Sequence, residues 1–127
     1  MRIREYATAM AAYNRWMNEN VYAKAAELSD EERKRDLGAF FGSIHGTLNH
    51  ILLADLWWMQ RFHGETLVKK ALGDELYAGF DELTAARREM DAKIIAWADG
   101  VTDAFADSEL RFFSVTYGRE RVLPYWA

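Results

Sequence analysis

Three histidines, an asparagine and one carboxylate are the side chains best placed to do chemistry in this sequence. His45 and His50 lie on a single predicted helix, and His63 closes it. A neutral imidazole nitrogen is a good ligand for zinc or nickel. A protein-held site of that kind needs three such ligands. On a straight helix His45 and His50 point about 140° apart, and no His-x-x-x-His pair exists. On spacing alone His50 is a candidate metal ligand, while His45, beside Gly46, is expected to brace a neighbouring loop. Asp55 falls inside an apolar stripe of the same helix, and Asn14 falls inside a stripe of the first helix. A carboxylate placed there needs a donor. We expect Asn14, or an aromatic N–H or O–H, to supply it. Two readings of the pair stand. It is a buried contact that sets helix register, or Asp55 is an acid that orients a metal-bound histidine.

These residues must be positioned by helices. The first is expected from about Ile3 to Leu28, with Ile3, Ala7, Met10, Met17, Val21, Ala25 and Leu28 as its apolar stripe and Trp16 on the opposite side. Ser29 with Glu32 forms a capping box that starts a short helix, which fades before Gly38. The charged run Asp30–Asp36 is mixed in sign and reads as solvated. Leu37–Gly42 is a connection. The second long helix runs from about Ser43, its N-cap, to Phe62, and His63-Gly64 ends it. Its main stripe is Ile44, Leu48, Ile51, Leu52, Asp55, Trp58, Met59 and Phe62. A second strip, Leu53, Leu56 and Trp57, lies beside His50. Glu65–Tyr77 has no clear periodicity. A third long helix is expected from about Gly79 to Ala98, with Asp99-Gly100 closing it. The tail turns β-like: Leu110–Thr116, a turn at Tyr117–Arg119, and a return strand Glu120–Leu123 stopped by Pro124. Trp16, Trp57, Trp58, Trp97 and Trp126 read as core or interface, or as the lining of a ligand pocket.

Composition limits the possibilities. The 127 residues are expected to form one domain spanning 1–127, with 50% apolar residues and no cysteine. There is thus no disulfide and no thiolate ligand or nucleophile. No apolar run reaches the roughly 20 residues of a membrane span. The N-terminus lacks the apolar block of a signal peptide, which fits a cytoplasmic protein. A net charge of −4 argues against a nucleic-acid partner. No phosphate loop, Ser/His/Asp pattern or paired-carboxylate motif is present.

The segment Asp36–His50, with Ser43-Ile44-His45-Gly46-Thr47-Leu48-Asn49-His50 at its end, continues into Leu53-Ala54-Asp55 and Arg61-Phe62. It resembles the DinB family (DNA-damage-inducible, YfiT-like metal-dependent enzymes). Tyr13–Asn18, Leu28–Glu32 and the hairpin with Gly118-Arg119-Glu120 are similar to that family too. The resemblance implies an all-α, up-and-down four-helix bundle that holds zinc or nickel on three histidines. One of these matches His50. The other two come as His-x-x-x-His on a last helix, which is expected beyond Ala127. The implied activity is metal-dependent hydrolysis or thiol S-transfer, with a thiol such as bacillithiol or mycothiol, or another small molecule, as substrate. With two of three ligands lacking, the chain is expected to be inactive or incomplete. The alternative is a non-catalytic helical dimerisation or binding module. In either case a homodimer is expected to cover the groove that a missing helix leaves, with the second strip of the histidine helix and the aromatic terminus at its interface.

Overall fold

The structure is a computed structural model that describes residues 2–114 and 117–125. The expectations for Thr116, Trp126 and Ala127 lie outside the described residues. In chain order the elements are α1 (Ile3–Ala26), α2 (Asp30–Lys34), α3 (Ile44–Phe62), α4 (Phe80–Gly100), α5 (Asp103–Asp107), β1 (Glu109–Ser114) and β2 (Arg119–Pro124).

Local chemistry accounts for most boundaries. Ser29 and Glu32 form the expected capping box on α2, and the Ser43 hydroxyl caps α3 by accepting from the Gly46 N–H. Between them, Gly38 and Gly42 take φ values of +71° and +78°, a region nearly closed to side chains with a Cβ. Arg33 departs from the solvated reading of its charged run. Its guanidinium is buried, donates to the Ala25 and Leu28 carbonyls and stacks over Phe80 at 4.1 Å. It thereby ties α2 to the end of α1 and the turn that follows. α5 was not foreseen. Thr102 caps it through the Phe105 N–H.

The three long helices do not simply alternate in direction. α1 runs antiparallel to α4, as the contacts Arg4–Val101, Asn14–Asp91 and Tyr22–Phe80 show. α3 runs parallel to α4, with Asp55 beside Arg87 and Phe62 stacked on Trp97. The up-and-down expectation is corrected here, and the cause is residues 63–79. This segment returns along α3, touching Trp57 through Val68, His50 through Leu72 and Asn49 through Leu76 and Tyr77. It carries the chain back to the start of α3, so α4 sets off in the same direction. A long connection is what such a topology requires.

The buried face of α1 is also rotated from the expected stripe. Ala11, Tyr22 and Ala25 are buried, while Met10, Met17 and Val21 are exposed. Asn14 and Asn18 turn toward α4 to reach Asp91. Leu48, Leu52, Leu83 and Met90 join Tyr22 and Ala25 in the core. β1 and β2 pair antiparallel, Leu110 opposite Leu123 and Phe112 opposite Arg121. The inward side of β1 packs Phe112 edge-on against Trp58.

Candidate functional site

His50 lies on the side of α3 that faces the returning connection. Its Nδ1 sits 2.9 Å from the Leu72 carbonyl, and its ring stacks on Phe41 with centroids 3.7 Å apart. A carbonyl only accepts, so Nδ1 carries a proton, and in the neutral ring the lone pair is on Nε2. The neighbour is Phe41 rather than the expected Trp57. Trp57 donates instead to the Val68 carbonyl at 3.1 Å. His45 is 1% exposed and braces the connection, its Nε2 lying 3.3 Å from a Glu75 carboxylate oxygen. At Gly46 the helix leaves no room for a side chain, because a Cβ would stand 2.3 Å from the Phe41 carbonyl oxygen.

Asp55 and Asn14 are not partners. Asp55 accepts from Arg87 Nη2 at 2.6 Å. Asn14 donates to Asp91 at 3.3 Å, as Asn18 does at 3.0 Å. Arg87 Nε also donates to Asp91, at 2.9 Å. One buried guanidinium on α4 therefore joins all three long helices. The sequence reading missed both Arg87 and Asp91. Their signal was an i, i+4 Arg–Asp pair set between the apolar residues Leu83, Met90 and Ile94 of the third long helix. Burial pushes the Asp91 carboxyl above its usual range, against the opposing pull of Arg87 and Asn18. Burial likewise raises Tyr22 to about 12, although Arg87 opposes it. The Leu72 carbonyl, not Asp55, holds the Nδ1 of His50.

Beside this cluster an apolar groove of about 400 Å³ opens between α1, α3 and α4. Asn14 and Asp55 are its polar lining. Its walls include Met10, Trp58, Phe62, Trp97 and Tyr125. Phe62 stacks on Trp97 at 5.0 Å, and Phe105 packs on Tyr125 at 4.1 Å, closing one end. Trp58 and Trp97 are thus groove lining, Trp57 faces the connection, and Trp16 is exposed. The second strip of α3 is not free: Leu53 is fully buried, and Leu56 packs on the core. The expected interface on that strip is corrected accordingly.

Among the described residues, no group of three or more His, Asp or Glu side chains is placed to hold a metal ion. No helix among them is long and apolar enough to cross a membrane.

The arrangement is that of a helical domain with a histidine-bearing central helix, a long return connection and a terminal hairpin. The family model described as DinB family matches residues 4–124, and the chain belongs to that family. It is similar to Protein DinB of Bacillus subtilis (strain 168), with 33% identity over 63 residues. That match covers 50% of this chain and 37% of the relative's length. No solved structure matches it.

Proposed function

We propose that this chain is a DinB-family protein of the divalent-metal-dependent hydrolase or thiol S-transferase class, in which His50 is one of the metal ligands. Zinc or nickel is the ion, and a thiol or another small molecule is the substrate class. The observation that carries the reading is the held imidazole. Its Nδ1 proton goes to a backbone carbonyl and its ring is clamped on Phe41, so Nε2 is the nitrogen left to coordinate. Metal-bound histidines are prepared in this way. The described residues do not by themselves fit a three-histidine centre, because nothing beside His50 supplies the other two ligands. They therefore carry no reaction step alone.

Histidine-ring NMR during titration with zinc chloride tests the proposal. The Nε2 resonance of His50 is expected to move first and weakly, ahead of exposed His63, and His50→Ala should remove the response. A first response at His63 or His45, or no response at any ring, overturns it.

A second reading, a non-catalytic helical binding or dimerisation module, is favoured by the groove. Its walls are aromatic and aliphatic, and Asn14 and Asp55 are its polar points. Under this reading His50 serves only to anchor the connection, and zinc leaves all three rings unchanged.

A further inference from the structure

The hairpin and α3 bring together cations that no carboxylate answers. Leu110, Phe112 and Ser114 of β1 stand opposite Leu123, Arg121 and Arg119 of β2. Side chains alternate along a strand, so these six share the side on which Phe112 meets α3. The other side carries Glu109, Arg111, Glu120 and Val122, and there Arg111 is paired with Glu120. On the packed side the charges do not cancel. Arg61 reaches it from α3, its guanidinium lying over the Phe112 ring at 4.7 Å and over Trp58 at 4.6 Å. Arg121 is the cross-strand neighbour of Phe112, and its guanidinium lies over Tyr117 at 4.5 Å. Among the described residues none of Arg61, Arg119 and Arg121 has a carboxylate partner. The buried arginines are treated otherwise: Arg87 has two carboxylates, and Arg33 has Asp30 and two carbonyls.

The stacking decides what these groups can hold. A guanidinium laid flat on a ring has its plane fixed and its N–H donors aimed outward in that plane. The Nε of Arg61 is buried without an acceptor, which leaves Nη1 and Nη2 as its outward donors. Burial pulls this guanidinium below its usual range, an effect that an opposing charge would offset. Carboxylate and phosphate oxygens match such a fork. Two fixed guanidiniums call for a ligand with two negative charges. A nucleic-acid strand fits less well, because the chain carries a net charge of −4 and the cluster is only one hairpin wide. Arg61, Phe112 and Arg121 do not line the apolar groove, so the cluster is separate from it.

We propose that Arg61 and Arg121, held beside Phe112, bind a small dianion, a phosphate monoester or a dicarboxylate, with Arg119 at the edge of the site. The inference goes beyond the metal reading and does not rest on His50.

Amide NMR titration of the full chain at low salt tests it, with phenyl phosphate and succinate as separate probes. The stronger binder of the two identifies the oxyanion. Shifts are expected around Arg61, Phe112 and Arg121, and they should fade in about 0.5 M sodium chloride, which screens exposed charges. Arg61→Gln and Arg121→Gln should each weaken binding about fivefold. Arg61→Lys should recover only part of the loss, since an ammonium lacks the planar fork. Arg111→Gln, on the other side of the hairpin, should bind as the parent does. Arg121→Gln leaves the Arg61 stack in place, so it decides the question even where Arg61→Gln disturbs the hairpin. No shift with either probe overturns the proposal. So does an equal loss in Arg111→Gln, or a short oligothymidine that binds more tightly than both dianions. Zinc responses are read at the imidazole of His50 and leave this result unaffected.

Discussion

Arg87 is 2% exposed and reaches two carboxylates, Asp55 on α3 and Asp91 on its own helix. Its removal leaves Asp91 buried without its cation. We expect Arg87→Ala to destabilise the fold by about 3–5 kcal/mol in urea unfolding. Arg87→Lys should recover only part of this, since an ammonium cannot span both carboxylates as the guanidinium fork does. Asp55→Asn should cost less, because Asp55 stands at the groove rather than in the core. Tyr22 gives a pH prediction. Its pKa is raised by burial from 10.0 to about 12, so between those values the folded chain keeps a proton that the unfolded chain gives up. Stability is therefore full below pH 10 and falls as pH rises toward 12. A spectrophotometric titration should find one of the six tyrosines ionising late. Tyr22→Phe, which deletes a buried hydroxyl with no hydrogen-bond partner among the described residues, should remove the late step and much of the alkaline loss.

Glycines separate two effects at the scale of single elements. In α3, Gly46 touches the Phe41 carbonyl so closely that Gly46→Ala must move backbone. A loss of about 1–3 kcal/mol is expected, by analogy with other overpacked sites. At the end of α4, Gly100 has open space around it and an ordinary φ. There Gly100→Ala should add about 0.5–1 kcal/mol. Thermal unfolding of the two variants in opposite directions is the check. The same helices show how far a sequence can be read. The Ser29 box, the Ser43 cap and the spans of α1, α3 and α4 rest on local signals within a few residues, and they were legible to within about two residues. Three things were not legible, because each depends on a partner distant in the chain. The rotation of α1 depends on Asp91, reached by Asn14 and Asn18. The donor to Asp55 is Arg87, on a helix whose direction periodicity does not encode. The strip Leu53, Leu56 and Trp57 looked like an interface because the segment that covers it has no periodicity of its own.

The direction of that returning segment ties the whole molecule to the histidine. Asn49 is 1% exposed and holds residues 76 and 77 by both ends of its amide. Its Nδ2 donates to the carbonyls of His45 and Tyr77, each at 3.1 Å. Its Oδ1 accepts from the Leu76 and Tyr77 N–H groups, each at 2.9 Å. Four backbone groups would lose this partner in Asn49→Ala, and burying even two of them unmet costs about 2–6 kcal/mol. The loss should not be confined to residue 49. The connection is pinned to α3 at Val68, Leu72 and Leu76–Tyr77 in sequence, so releasing its last pin frees the segment that carries the Leu72 carbonyl. That carbonyl fixes the tautomer of His50. We therefore expect Asn49→Ala, studied at a urea concentration where the chain stays folded, to speed amide exchange at Leu76 and Tyr77. The same variant should let the His50 ring populate both tautomers in NMR, while the ring of His63, held by the Met59 carbonyl on its own helix, stays unchanged. Faster exchange with an unaltered His50 ring would mean that Phe41 alone holds the imidazole, and that the returning connection sets the direction of α4 without preparing the ligand.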